Sequence, residues 1–121
     1  MAHSIEFEKL VDEVKKNIAE ISVSETLEKL KEGTNLIDVR EDNEWDKGHI
    51  KGAVHLGRGI IERDIIDQFP DKNAELILYC GGGFRSALSA ENLQKMGYQN
   101  VFSMAGGWRA WQDANGPVEL K

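Results

Sequence analysis

Apolar residues at the start of the chain recur every three to four positions, as they do on one face of an α-helix. The residues that follow this spacing are Phe7, Leu10, Val11, Val14 and Ile18. They predict an amphipathic helix over about residues 4–20. Ser22 and Glu25 then match a capping box, which predicts a second amphipathic helix that ends near Gly33.

Beyond Gly33, short apolar runs alternate with helical patterns. The runs at residues 36–39, 53–56, 75–79 and 101–103 predict strands. Helical patterns cover residues 41–46, 60–69 and 87–96, and a last helix with Trp108 and Trp111 follows the Gly106-Gly107 turn. Strands that alternate with helices predict an α/β fold whose mainly parallel sheet is covered by helices on both faces. In such sheets, ligands bind beyond the carboxyl ends of the strands.

The composition bounds the class of protein. A chain of 121 residues with 40% hydrophobic and 30% charged residues fits one soluble globular domain. The net charge of −6 and the pI of about 5.1 argue against nucleic acid and anionic membranes as partners. No apolar run approaches the roughly 18 residues of a membrane span. Residues 1–20 lack the apolar core of a secretory signal, and we expect a cytoplasmic protein.

Cysteine and histidine chemistry is limited. Cys80 is the only cysteine, which excludes an internal disulfide and any metal site built from several cysteines, and fits a reducing compartment. The three histidines, His3, His49 and His55, lack the spacing of metal ligands, and no carboxylate pattern completes a site. We therefore expect neither a metal nor another cofactor.

The position of Cys80 favours an anion. Cys80 follows the apolar run 76–79 and opens the segment Cys80-Gly81-Gly82-Gly83-Phe84-Arg85-Ser86, which leads directly into the helix predicted from residue 87. The N–H groups of a glycine-rich loop can converge on an anion, and the following helix adds its free N–H groups. Arg85 adds a permanent cation. We expect a thiol so placed to ionise readily and, as a thiolate, to act as a nucleophile.

Four segments in matching order resemble the single-domain rhodaneses, a family of sulfurtransferases. They are residues 36–41 (LIDVRE), residues 48–53 (GHIKGA), the loop at 80–86, and Gly106-Gly107-Trp108 with Trp111. The resemblance spans about residues 21–118. It implies a rhodanese-like domain over residues 21–121, with a central, mostly parallel five-stranded sheet, and leaves residues 1–20 as an N-terminal helical extension. It also implies that a sulfane sulfur passes through a persulfide on the loop cysteine, a role that maps onto Cys80.

The resemblance and the loop together predict how sulfur is moved. The expected donors are thiosulfate, polysulfides or persulfides, and the expected acceptors are cyanide, a small thiol or a thiol-bearing protein. Because the chain has no second cysteine, the acceptor must come from outside. The predicted substrate-binding residues are Gly81, Gly82, Gly83, Phe84, Arg85, Ser86 and, as a second cation beyond the strand at 53–56, Arg58. Arg85 either binds the donor or anchors the loop.

Two other functions compete with sulfur transfer. A cysteine phosphatase or arsenate reductase on the same scaffold needs a loop that is one residue longer than the four residues between Cys80 and Arg85. The other alternative is a non-catalytic binding or sulfur-sensing module, and the retention of Cys80 within an intact loop argues against it. Asp38 and Arg40 at a strand end are interpreted as a structural ion pair or as loop-anchoring hydrogen bonds rather than as a catalytic pair, because buried charges usually come paired. His49 is interpreted as a hydrogen-bonded structural residue rather than as a general base.

Overall fold

A computed structural model describes residues 3–120 of the chain. The helices are α1 (Ile5–Lys15), α2 (Val23–Lys31), α3 (Asp42–Asp46), α4 (Ile61–Gln68), α5 (Phe84–Lys95) and α6 (Gly107–Asp113). The strands are β1 (Ala19–Ile21), β2 (Asn35–Asp38), β3 (His49–Ile50), β4 (Val54–His55), β5 (Glu75–Tyr79), β6 (Asn100–Met104) and β7 (Val118–Glu119). None of the described helices has the length and apolar content needed to cross a membrane.

The central sheet has five strands in the order β1-β6-β5-β2-β4, and every neighbouring pair is parallel. Its two faces are covered by different helices, because alternate residues of a strand point to opposite faces. In β5, Leu76 and Leu78 pack in the cluster that contains Ile61 and Ile65 of α4. On the other face, Ile77 and Tyr79 pack with Trp111 of α6. The predicted α/β architecture is therefore confirmed, and Trp111 is a core residue as predicted.

The N-terminal helix is shorter than predicted. It ends at Lys15, whereas residues 19–21 form β1, the edge strand that pairs with β6 from Ala19 opposite Phe102 to Ile21 opposite Met104. The helical spacing of apolar residues continues through Ile18, which packs against the core from a turn rather than from a helix. A boundary after residue 20 would cut this strand.

A second, smaller sheet was not predicted. β3 pairs antiparallel with β7, with His49 opposite Glu119 and Ile50 opposite Val118. Two-residue strands are too short to show an alternating pattern, and so the sequence carries no signal for this pairing. The predicted strand at 53–56 is likewise reduced to Val54–His55.

Candidate active site

Cys80 lies immediately after β5, between the carboxyl ends of β2 and β6. Its Sγ accepts hydrogen bonds from the backbone N–H groups of Gly83, at 3.1 Å, and Ser86, at 3.4 Å. The Ser86 hydroxyl lies 3.6 Å from the same sulfur and 2.8 Å from the Ser103 hydroxyl of β6. Cys80 is only 1% exposed, yet its sulfur faces polar hydrogens. The predicted cradle of main-chain amides is therefore present.

The conformation of Gly83 makes this cradle. Gly83 caps α5 with a φ of 95°, a left-handed value that is costly for residues with a side chain. A Cβ at this position would also lie 3.2 Å from the Gly106 nitrogen. The turn brings the N-terminal N–H groups of α5 next to the sulfur. The helix begins at Phe84, three residues earlier than the sequence pattern indicated.

The N-terminus of α6 holds the loop from the opposite side. The N–H of Trp108 donates to the Cys80 carbonyl at 2.7 Å, and the N–H of Arg109 donates to the Gly81 carbonyl at 3.1 Å. In a trans peptide the N–H points away from the preceding carbonyl, so these two bonds turn the N–H groups of Gly81 and Gly82 away from α6. Gly107, at a φ of 54°, permits this approach, because a Cβ there would overlap the Cys80 carbonyl.

Several loop N–H groups remain available for a ligand. Within residues 3–120, no protein acceptor is bonded to the backbone N–H groups of Gly81, Gly82, Phe84 and Arg85. They belong to the loop and to the first turn of α5, where unpaired N–H groups and the helix dipole favour an anion. The site can therefore hold negative charge on Sγ and on an atom bonded to it.

The Arg85 guanidinium is bound to a carboxylate rather than left free. Its two terminal nitrogens donate to the two carboxylate oxygens of Glu44 in α3, at 2.7 and 3.1 Å. The hydrogen bond from Arg85 lowers the pKa of Glu44 below its ordinary value. The same bond raises the pKa of Arg85, which therefore stays charged. Arg85 thus anchors the loop to α3 while it lines the pocket above Cys80.

Arg109, rather than the predicted Arg58, lines the pocket above Cys80. Arg58 is exposed, its N–H donates to the Val39 carbonyl, and it does not line the pocket. β2 lies between β4, which precedes Arg58, and β5, which precedes Cys80. Arg109 of α6 lines the pocket instead. Sequence reasoning missed Arg109 because only the docking of α6 on the loop brings it there.

The pocket above Cys80 has a volume of about 800 Å³. Its floor is formed by the loop with Cys80, Gly81, Gly82, Phe84 and Arg85, and its sides by Glu44 and Arg109. The remaining wall comes from the N-terminal segment, through His3, Phe7 and Glu8. Gly83 and Ser86 are buried beneath this surface and act through their N–H groups. In the described part of the chain no three His, Cys, Asp or Glu side chains converge as a metal would require.

Asp38 and Arg40 form a buried scaffold beside the site. The Arg40 Nε donates to both Asp38 carboxylate oxygens, at 3.1 Å to Oδ1 and 3.0 Å to Oδ2. Its Nη2 donates to Asp38 Oδ2 at 2.8 Å and to the Gly48 carbonyl at 2.7 Å. It also lies 4.7 Å from the ring centre of Trp108, the residue that bonds the Cys80 carbonyl. The predicted structural ion pair is confirmed.

His49 has the structural role predicted for it. Its Nδ1 lies 3.2 Å from the Trp45 carbonyl, and its ring stacks on the Trp45 ring with centres 3.4 Å apart. The His55 ring stacks on the same indole, at 4.9 Å. These contacts fix α3, which carries Glu44, against the sheet.

Comparison with known proteins identifies a family. The family model of the Rhodanese-like domain matches residues 22–114. The thiosulfate sulfurtransferase GlpE of Haemophilus influenzae is 32% identical over 100 residues, which cover 83% of this chain and 93% of that protein. The "Putative sulfur carrier protein YrkF" of Bacillus subtilis is 34% identical over 97 residues, which cover 78% of this chain. The match spans about half, 51%, of the length of that protein.

A solved structure extends the similarity to the N-terminal helix. It is a protein of unknown function from Rhodopseudomonas palustris that is described as a possible tyrosine phosphatase. The two chains are 30% identical and superpose with a TM-score of 0.82. The superposition covers 98% of this chain and 99% of that one. The shared fold therefore includes residues that lie outside the matched family domain.

Proposed function

The chain belongs to the rhodanese-like domain family, and from that premise we propose that it is a sulfurtransferase that works through a persulfide on Cys80. The donor is thiosulfate, a polysulfide or a persulfide, and the acceptor is a thiol or cyanide. The observation that carries the proposal is the sulfur of Cys80 at the floor of an open pocket, with the N–H groups of Gly83 and Ser86 directed at it.

Loading of the cysteine is a displacement at sulfur. The Cys80 thiolate attacks the outer sulfur of thiosulfate, the bond between the two thiosulfate sulfurs breaks, and sulfite leaves with the bonding electron pair. The product is Cys80–S–S⁻, and the total charge is unchanged. Negative charge lies first on Sγ and then on the terminal sulfur, so N–H groups placed at both positions stabilise every species along the path.

The loop contributes more to this stabilisation than the helix dipole does. A hydrogen bond to a charged group contributes roughly 1.5–3 kcal/mol, and Sγ accepts two from backbone N–H groups. A helix terminus alone contributes about 0.3–1 kcal/mol at an exposed site. The precise turn at Gly83 therefore matters more to the chemistry than the length of α5.

Discharge of the persulfide needs a second molecule. Cys80 is the only cysteine, so no other thiol of the chain can take the sulfur. Cyanide attack on the terminal sulfur yields thiocyanate and regenerates the Cys80 thiolate. A small thiol or the thiol of an acceptor protein reacts in the same way. The net charge of −6 argues against nucleic acid as a partner, and a single cysteine outside any disulfide fits a reducing compartment such as the cytoplasm.

Mass spectrometry of the intact protein tests the proposal. The protein is incubated with thiosulfate or with polysulfide, and the expected result is the gain of one sulfur atom, lost again on addition of cyanide or dithiothreitol. The Cys80→Ser variant is the matched control and should gain nothing. A wild-type protein that takes up no sulfur from either donor would refute the proposal and favour a non-catalytic binding module.

A cysteine phosphatase is the second candidate, because the superposed protein from Rhodopseudomonas palustris is described as a possible tyrosine phosphatase. Two observations favour sulfur transfer over phosphate hydrolysis at Cys80. Only four residues separate Cys80 from Arg85, and the Arg85 guanidinium is bound to Glu44 instead of facing an empty oxyanion site. Cys80-dependent hydrolysis of an aryl phosphate would reverse this preference.

A further inference from the structure

Helix α1 is part of the active-site wall although it precedes the matched family domain at 22–114. It is held in place by its buried face. Val11 and Val14 pack in one cluster with Ala87 and Leu88 of α5, the helix that follows the catalytic loop. Ser4 caps α1 by accepting the N–H of Phe7 at 3.0 Å. The start of α1 is therefore fixed relative to Cys80.

Three rings form one aromatic wall at this end of the pocket. His3 and Phe7 of the N-terminal segment both contact Phe84, which belongs to the catalytic loop. The Phe7 and Phe84 ring centres are 5.8 Å apart and the rings are stacked at 23°, while the His3 ring centre lies 4.4 Å from that of Phe84. All three residues line the pocket that contains Cys80. We call His3, Phe7 and Phe84 the aromatic wall.

The charges around the pocket balance. Arg85 and Arg109 are opposed by Glu8 and Glu44, and Glu44 binds Arg85 directly. The side chains that line the pocket therefore offer a small inorganic dianion no net positive charge, and its attraction comes from the loop N–H groups and the N-terminus of α5. Lys15, whose ammonium lies 5.2 Å from the Phe84 ring centre, is paired with Glu20. The volume of about 800 Å³ also falls in the range of about 300–1,000 Å³ that pockets for organic ligands occupy. The wall and the volume suit a molecule with an apolar group.

We propose that the aromatic wall binds the organic group of the thiol that accepts sulfur from Cys80, and of the persulfide formed from it. This inference rests on the proposed function. The thiol R–SH passes its proton to the terminal sulfur of Cys80–S–S⁻, the thiolate R–S⁻ attacks that sulfur, and the bond between that sulfur and Sγ breaks. The electron pair stays on Sγ, and R–S–SH leaves with the proton. Read in reverse, the same contacts select an organic persulfide as donor.

Single-turnover discharge measures this selectivity. Protein loaded with polysulfide is mixed with benzyl mercaptan or with 2-mercaptoethanol, and loss of one sulfur atom is followed by mass spectrometry. Each rate is divided by the rate of the same thiol with a small-molecule persulfide, which removes intrinsic reactivity. We expect the wild type to prefer benzyl mercaptan about tenfold, as one well-formed aromatic contact provides. Phe7→Ala should reduce the preference to about twofold or less.

Two further variants make the result decisive. Leu10 is also on α1 but is 53% exposed and does not line the pocket, so Leu10→Ala should keep the wild-type preference. Phe7→Leu keeps apolar packing and removes the ring. If Phe7→Ala does not fold, the preference of Phe7→Leu for benzyl mercaptan tests the role of the aromatic wall. An unchanged preference in Phe7→Leu, or equal losses in the Phe7 and Leu10 variants, would refute the role of the wall. Failure of the wild type to load sulfur would instead refute the proposed function.

Discussion

Glu44 and Arg85, 41 residues apart in sequence, form a bidentate ion pair that ties α3 to the cysteine loop. The pair favours the loop-anchoring role among the two considered for Arg85, because a guanidinium that already binds a carboxylate has less attraction for a second anion. We therefore expect Arg85 to contribute more to the shape of the loop than to capture of the donor. The cation that the sequence singled out is largely neutralised by its partner.

Removing the charge of Glu44 should improve the use of an anionic donor. In Glu44→Gln the Arg85 charge is no longer compensated, and we expect kcat/KM for thiosulfate to rise about three- to tenfold at low ionic strength. The gain should shrink as salt is added, because salt screens charges near the surface. Steady-state assays of thiocyanate formation at two salt concentrations measure both effects.

Asp46→Asn is the matched control for Glu44→Gln. Asp46 is an exposed residue of the same helix, and none of the pocket residues is Asp46. The two variants change the net charge equally. If Asp46→Asn raised kcat/KM as much as Glu44→Gln, the effect would come from the net charge and the local role of the ion pair would be wrong.

The same ion pair should make stability depend on pH. The pKa of Glu44 in the folded protein lies below its ordinary value of 4.5 because Arg85 donates to it. The stabilisation is therefore complete above about pH 5, and it is lost as the pH falls through the lowered pKa. Because both side chains are about one-third exposed, we expect only about 1 kcal/mol. The free energy of unfolding of wild type and Glu44→Gln should differ by this amount at pH 7 and converge once the pH falls below the lowered pKa of Glu44.

The sequence carries strong signals for the central strands and for the cysteine loop. Every residue from Leu76 to Cys80 is buried, so the apolar run marks β5 without ambiguity, and the glycines mark the turn that follows. By contrast, β1 has only one buried residue, Ile21, and its strand character comes from hydrogen bonds to β6. A pattern of apolar positions cannot reveal a strand that is defined by its partner.

The parts of the site that escaped prediction depend on tertiary packing. Phe7 reaches the pocket because α1 crosses α5, and Arg109 reaches it because α6 caps the loop carbonyls. Neither residue stands in a motif. Arg58 illustrates the converse, because a strand end on the correct edge of the sheet is not enough when another strand intervenes. Predicting which residues lie close together at one edge of a sheet requires the order of the strands, and the sequence pattern alone does not give that order.

Gly107 should be intolerant of a side chain. A Cβ at Gly107 would overlap the Cys80 carbonyl, and its φ of 54° adds strain. Gly107→Ala should therefore push α6 away from the loop, weaken the bond from Trp108 to Cys80, and lower sulfur uptake by about tenfold or more. Gly59→Ala is the control, since nothing lies within 4 Å of its Cβ position. Comparable activity of the two variants would show that the close approach of α6 is dispensable.

Ser86→Ala should weaken both the site and the fold. The Ser86 hydroxyl contacts the Cys80 sulfur and bonds the Ser103 hydroxyl, and both serines are fully buried. Removing it leaves the Ser103 hydroxyl without this partner, which costs about 1–3 kcal/mol in the free energy of unfolding. The Cys80 thiol donates to this hydroxyl, and once Cys80 is ionised the hydroxyl can turn to donate to the sulfur. The rate of sulfur uptake by Cys80 should therefore also fall, because the anionic sulfur loses this contact. Chemical denaturation and mass spectrometry measure the two effects.

Two further variants separate the hydroxyl contacts from simple burial. Ser89 lies on the same helix, and its buried hydroxyl has no hydrogen-bond partner among the described residues, so Ser89→Ala should be neutral or stabilising. Removing both partners in Ser86→Ala with Ser103→Ala should restore part of the lost stability, because no hydroxyl of the pair is then left unpaired. Sulfur uptake should stay slow in the double variant, since the hydroxyl that contacts the Cys80 sulfur is still missing. A double variant as unstable as the sum of the single ones would contradict this account of the serine pair.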